Sequence, residues 1–151
     1  MPKGNYYKRN ARDRKTAIAS YLNEKFEILS INLGEFAVKN QFILADDPYR
    51  DTKIINEEKL VLAIINEIKR TADSHLIIEG HYADIIPNEF ILAAVILRTD
   101  PFVLEERLKL RNYSEDKIKE NIQAEILSDC GSYLLEKDLN NPIFEFDTST
   151  L

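Results

Sequence analysis

Hydrophobic and polar positions change period repeatedly along this chain, and the changes divide it into alternating helices and strands. KTAIASYLNEKF places Ile18, Tyr21, Leu22 and Phe26 at helical spacing, predicting an amphipathic helix. FEILSINL is a short β-rich apolar run and predicts a strand. GEFAVKNQF predicts a short helix, followed by a polar loop, ADDPYRDTK, in which Asp46, Asp47 and Tyr49 are exposed. NEEKLVLAIINEIKRTA has acids in its first turn and bases in its last, as the helix dipole favours. HLIIEG and FILAAVILRTD are apolar runs of the kind buried on both faces of a parallel sheet. DPFVLEERLKLRN predicts a helix opened by Pro101, and SEDKIKENIQAEILSDCGSYLLEKD predicts one long helix. PIFEFDT predicts a last strand. The alternation means an α/β fold with a mostly parallel sheet, lacking only a strand ahead of KTAIASYL.

A chain of 151 residues and 17.5 kDa is expected to form one domain with one sizeable core. Its single cysteine, Cys130, allows no internal disulfide, predicts a reducing cytoplasmic setting, and is expected to be a small buried residue on a helix. No apolar run approaches a membrane span, and MPKGNYYKRN lacks the apolar centre of a signal peptide.

Charge changes the picture at one end. Residues 1–15 hold six basic side chains and one acid, a balance of +5, so the overall −6 leaves −11 on the rest. A basic arm on an acidic body suits a nucleic-acid contact, whereas the acidic remainder argues against a broad RNA-binding face.

The chemistry gathers at strand ends. Glu79 and His81 close HLIIEG, and Arg98, Thr99 and Asp100 close VILRTD; both sites lie at the carboxyl edge, where open α/β sheets bind ligands. Arg107 and Arg111 follow in and after the next helix. A carboxylate to organise Mg²⁺ and arginines to spread phosphate charge are what phosphoryl transfer requires. Taken singly, each has a plainer reading. Lys15-Thr16 is an ordinary helix opening, Glu79-Gly80-His81 a polar strand end, and His81 equally a satisfied core histidine. Arg107 and Arg111 are spaced for surface pairs with Glu105, Glu106 or Asp116, and Arg107 is the more structural of the two.

The segments HLIIEGHYADIIP, ILRTDPFVLEERLKLRNYSEDKIKENIQAEI and INLGEFAVKNQFI…DDPYRDTKIINEEKL resemble the adenylate-kinase-like P-loop family that includes the eukaryotic nuclear adenylate kinase CINAP and its archaeal relatives. The resemblance spans roughly residues 15–147. It implies a three-layer P-loop NTPase domain over residues 1–151, with a monophosphate-binding segment near 32–55 and a lid near 110–120. It implies ATP and AMP as substrates, Mg²⁺ as cofactor, ATPase activity, and a role in small ribosomal subunit maturation beside a small-subunit ribosomal protein, with rRNA contact open to the basic arm. By position, Lys15 matches the P-loop lysine, Thr16 the magnesium hydroxyl, Glu79 the Walker B-type acid, His81 the histidine two residues on, and Arg111 the lid arginine. Arg12, Arg14 and Ala17 complete the nucleotide-binding stretch.

The loop departs from that pattern. The family has a strand followed by G-T-P-G-x-G-K-T, and here those eight positions are Arg9, Asn10, Ala11, Arg12, Asp13, Arg14, Lys15 and Thr16. Residues 1–14 thus form an atypical basic arm in place of the first strand and the glycine nest. Three side chains would crowd backbone that must curl around phosphate, so nucleotide binding is expected to be impaired. The rival expectation is a non-catalytic ribosome-assembly protein that uses the arm as its contact.

The genetic code connects the two patterns. An Arg codon ending in GG becomes a glycine codon when read one base later, and all three arginines occupy glycine positions. Asn10 and Asp13 can become threonine and Ala11 proline. NYYK can become Ile-Ile-Ile-Ser, a buried strand and its turn. NYYKRNARDRKT is therefore a permitted out-of-frame reading of IIISGTPGTGKT, with the frames rejoining at Lys15 if one adenine is lost from a run; Met1 then lies out of frame as well.

Overall fold

The computed structural model describes residues 14–47, 52–71, 75–127 and 129–150. Arg9, Asn10, Ala11, Arg12, Asp13, Tyr49 and the expected first strand lie outside the described residues. The chain divides into two compact units, meeting in sequence between Ile86 and Pro87.

The first unit contains α1 (Arg14–Phe26), β1 (Leu29–Asn32), α2 (Leu33–Lys39), β2 (Ile43–Asp47), β3 (Thr52–Ile55), α3 (Glu57–Arg70) and β4 (Leu76–Glu79). β1 and β4 run parallel, with Leu29 opposite Leu76 and Asn32 opposite Glu79. Leu33, Ala37, Leu60 and Ile64 are fully buried, and Ala19 and Ile86 nearly so. In α3, Leu60 and Ile64 are one helical turn apart and share a face. Its N-cap is Asn56, whose side chain accepts from the Lys59 amide at 3.2 Å.

Two elements of this unit differ from their expected form. The core face of α1 is narrower than expected: Ala19 is buried and Ile18 and Leu22 half-buried, but Tyr21 and Phe26 are more than half exposed, and Lys25 lies over both rings at 5.4 and 5.5 Å. The small Ala19 side chain permits close packing of the helix, while Tyr21 and Phe26 give their π faces to a cation. The segment expected as a polar loop is a hairpin in its described part. β2 and β3 pair antiparallel, with an irregularity between Ile43 and Ala45, and Asp46 is an exposed strand residue opposite Lys53. Ile43, Ile54 and Ile55 supply the β-forming residues that the acids had hidden.

The second unit contains β5 (Ala94–Arg98), α4 (Pro101–Leu110), α5 (Glu115–Leu127), α6 (Asp129–Glu136) and β6 (Ile143–Asp147). β5 and β6 are parallel, from Ala94 opposite Ile143 to Arg98 opposite Asp147. Asp100 caps α4 by accepting from the Phe102 amide at 2.9 Å, and Pro101 takes the first turn. Ser114 caps α5 by accepting from the Lys117 amide at 3.2 Å. Of the single long helix expected after Ser114, the described residues form α5 to Leu127 and α6 from Asp129, and residue 128 between them lies outside the described residues. The side chain of Cys130 lies outside the described residues. Burial of the parallel strands on both faces does not hold throughout: Val95 is 56% exposed, and β6 is exposed along its length.

Candidate functional site

At the end of β4 the chain places a carboxylate in the interior. Glu79 is 8% exposed, and its Oε1 accepts two hydrogen bonds. One comes from the Thr16 hydroxyl in the first turn of α1, the other from Asn32 Nδ2 at the end of β1, both at 2.8 Å. Oε2 is buried and has no hydrogen-bond partner among the described residues. A buried carboxylate oxygen without a donor is costly, on the order of 1–3 kcal/mol, and marks a place where a further group belongs.

Backbone geometry fixes this arrangement. Asn32 and Glu79 are register partners on neighbouring parallel strands, so their side chains emerge on one face. Gly80 then turns the chain at φ 152°, a conformation side-chain residues rarely adopt. A Cβ there would meet Leu33 Cβ at 3.3 Å, so the turn lies directly on the buried start of α2. His81 follows as an exposed residue, two positions past Glu79. The core-histidine reading is thereby corrected: His81 is not buried.

The residues expected to act on nucleotide fall into two groups. Arg14, Lys15, Thr16 and Ala17 form the first turn of α1, all half-buried, and Thr16 is the one bonded to Glu79. Arg12 lies outside the described residues. Arg111 belongs to the second unit, where it ends α4 with its amide bonded to the Leu108 carbonyl at 3.1 Å. The turn is completed by Asn112 at φ 59°, a left-handed conformation that asparagine tolerates.

Magnesium is tested by the donor set. Thr16 gives its only hydroxyl proton to Glu79, which leaves its oxygen lone pairs available to a cation. Glu79 Oε2 is the matching anionic oxygen. Among the described residues no group of three or more His, Cys, Asp or Glu side chains could hold a metal. Mg²⁺ requires no such group, because it keeps waters and takes one or two protein ligands with substrate phosphates. The residues present fit that ion.

In the second unit the polar strand end has a structural task. Arg98 Nε donates to Glu125 Oε1 at 2.7 Å and its Nη2 to the Glu125 carbonyl at 2.7 Å. The Thr99 amide shares Glu125 Oε1 at 3.0 Å. Arg107 Nη2 donates to the Thr148 and Ser149 carbonyls at 2.8 and 3.2 Å. Thr148 is buried and bonds the Arg98 carbonyl through both its amide and its hydroxyl. Arg98 and Arg107 therefore fasten the ends of β5 and β6.

Asn32, Glu125 and Thr148 were not anticipated from sequence. Asn32 carried a partial signal, since Asn-x-x-Glu before a helix suggests a cap, but a cap pattern does not reveal the second bond, to Glu79.

Comparison with known proteins places this geometry in a class. The family described as an AAA domain matches residues 15–128. A "Putative adenylate kinase" of Methanococcus maripaludis is 32% identical over 140 residues, covering 89% of this chain and 74% of that protein. Another "Putative adenylate kinase", from Methanocaldococcus jannaschii, is 33% identical over 135 residues, covering 89% and 71%. The "Adenylate kinase isoenzyme 6 homolog HBR1" of Candida albicans is 34% identical over 96 residues, covering 64% and 38%. The fold is thus a P-loop NTPase-like α/β domain with parallel strand pairs. Within that class, the chain belongs to the family of these adenylate-kinase relatives. Among the described residues no helix is long and apolar enough to cross a membrane.

Proposed function

We propose that this chain is built for phosphoryl transfer from ATP to AMP, with ATP hydrolysis as the accompanying activity. The observation that carries the reading is the buried Glu79, bonded to Thr16 through one oxygen and, among the described residues, without a donor on the other. Mg²⁺, held by Thr16 and near Glu79, would neutralise phosphate charge and orient the reacting phosphoryl group. Lys15 is the cation for the β and γ phosphates, and His81 positions water or phosphate at the strand edge. Arg111, from the segment expected as a lid near residues 110–120, supplies charge to the transferring group. The segment near 32–55 takes the monophosphate. Such a site works by holding two nucleotides in line while compensating developing charge.

Arginine at positions 9, 12 and 14 impairs the ATP half of the site, because the phosphate nest needs backbone that can curl without side chains. The relatives named as adenylate kinases support the substrate pair. A link to small ribosomal subunit maturation, with a ribosomal protein as partner, accompanies this reading by family resemblance, as does a cytoplasmic location.

Calorimetric titration with ATP and Mg²⁺, followed by a coupled assay with AMP, tests the proposal. A chain with glycine at positions 9, 12 and 14 and a restored first strand should bind in the micromolar range and turn over AMP, with this chain much weaker. Failure of both to bind ATP overturns the kinase reading. It would favour the second one, a non-catalytic ribosome-assembly protein whose basic arm, +5 over residues 1–15, contacts rRNA.

A further inference from the structure

We propose that Asn32 is a positioning residue for the magnesium site, linking the Glu79 carboxylate to the first helix of the segment expected to hold the monophosphate. The inference rests on the phosphotransferase reading above. Asn32 Nδ2 donates to Glu79 Oε1 at 2.8 Å, while its Oδ1 accepts from the Glu35 amide at 3.0 Å as the N-cap of α2. The two partners determine which way the carboxamide faces. A backbone amide can only donate and an ionised carboxylate only accept, so a flipped Asn32 would lose both bonds.

The consequence for Glu79 is geometric. Oε1 is held from two sides, by Asn32 and Thr16, so the carboxyl plane is fixed and Oε2 is held in its buried position, without a donor among the described residues. Asn32 touches neither nucleotide nor metal in this scheme; it acts through Glu79. Gly34 leaves space for the carboxamide, since a Cβ there would come within 3.3 Å of Asn32 Oδ1 and 3.6 Å of Tyr82 Oη. A displacement of α2 would pull on the residue that aims the metal carboxylate. Outer-shell partners of this kind are worth about 10–100-fold in metal affinity.

Asn32→Asp separates the two roles. Aspartate caps a helix as well as asparagine does, but it has no donor for Glu79 and sets a second carboxylate against it. Mn²⁺ uptake with ADP present, followed by the loss of free-ion EPR signal beyond that caused by the same ADP without protein, is the readout. It is taken on this chain and on the chain with IIISGTPGTG at positions 5–14. Asn32→Asp should weaken uptake about tenfold or more, measured well below its thermal midpoint, which falls because the bond to Glu79 is lost. Uptake equal to that of the unsubstituted chain overturns the role of Asn32 and leaves the kinase reading standing. If neither unsubstituted chain takes up Mn²⁺, the magnesium-site reading fails and Asn32 falls with it. If Asn32→Asp unfolds, Asn32→Ser, which also caps but does not reproduce the carboxamide donor, replaces it under the same criteria.

A separate observation concerns residues 5–14. The family match begins at Lys15, the position at which the shifted and unshifted codon readings rejoin. All of the ten preceding residues admit codons that give Ile-Ile-Ile-Ser-Gly-Thr-Pro-Gly-Thr-Gly one base later. The result satisfies the general phosphate-loop spacing, glycine at the first and sixth positions before Lys15-Thr16, and precedes it with a β-branched run. An arm unrelated to the loop has no reason to meet every one of those conditions. We infer that the cell makes the shifted reading. Peptide mass spectrometry on the protein from its own organism decides: a peptide Ser-Gly-Thr-Pro-Gly-Thr-Gly-Lys is expected. Tryptic peptides ending at Arg9, Arg12 and Arg14 in the present order would overturn the inference.

Discussion

The Thr16 hydroxyl and the Glu79 carboxylate, 63 positions apart, meet at 2.8 Å and join the start of α1 to the end of β4. Because Glu79 is buried with one oxygen lacking a donor among the described residues, the pair is poorly explained as a stabilising contact alone. A residue kept for the fold would have both oxygens satisfied. Glu79→Gln keeps the shape and removes the charge. In the chain carrying the glycine loop it should lower turnover by about a hundredfold or more, since a metal's charge stabilisation is worth several kcal/mol. Folding stability should stay within about 1 kcal/mol, because a buried charge is removed while the carboxamide oxygen still accepts from Thr16 and Asn32. A coupled ATP/AMP assay beside urea denaturation reads both; equal losses in the two would mean that Glu79 is structural.

Asn32 and Asn56 are both asparagine N-caps, and their difference isolates the contact with Glu79. Asn56→Ala should cost about 1 kcal/mol, the usual value for a lost cap. Asn32→Ala loses the cap and a hydrogen bond to a carboxylate, which adds roughly 1.5–3 kcal/mol. Urea midpoints for the two variants measure the gap. Equal costs would mean that the bond at 2.8 Å contributes nothing to the folded state.

Much of this architecture was legible beforehand, and the failures share a cause. The α3 helix, the strands ending in Glu79 and in Arg98, and the Pro101 helix start follow from local signals: spacing, charge at helix ends and a fixed φ. The narrower core face of α1 and the hidden β2–β3 hairpin depend on which neighbour a face meets, information that no local window holds. The same limit applies to the site. Thr16 and Glu79 could be named by motif position, but Asn32 could not, because its second bond exists only once β1 and β4 pair in register. Arg98, grouped with the phosphate-handling residues by sequence, is occupied by Glu125.

That Arg98–Glu125 pair gives the next expectation. The side chains are 27% and 17% exposed, and Glu125 also receives the Thr99 amide. Glu125→Ala would leave a mostly buried guanidinium with its closest carboxylate gone. The expected loss is about 2–4 kcal/mol, near the range for breaking a buried pair. Chemical denaturation measures it; a loss below about 0.5 kcal/mol would place the pair with solvent-screened surface contacts.

Gly80 should tolerate no side chain. Gly80→Ala must adopt φ near 152° and bring a Cβ to 3.3 Å from Leu33 Cβ. Strain of this kind costs about 1–3 kcal/mol. The adjoining Glu79 would shift with the turn, so Mn²⁺ uptake should fall along with the thermal midpoint. A variant with native stability would show that the turn has another conformation open to it.

The clearest pH-linked group is exposed, and its effect is local. Ser149 holds the Asp147 carboxyl below the ordinary carboxylate value, first through its hydroxyl at 2.5 Å and then through its amide at 2.9 Å, with a smaller pull from Arg107. A depressed folded-state value means that the favourable linkage is present above the unfolded carboxylate pKa and is lost as pH falls through the folded one. Ser149→Ala removes the leading cause and should raise the Asp147 titration midpoint toward the ordinary range. Carboxyl ¹³C NMR between about pH 2 and 6 spans the ordinary aspartate value and follows it directly. An unmoved midpoint would mean that the hydroxyl bond at the end of β6 does not persist in solution.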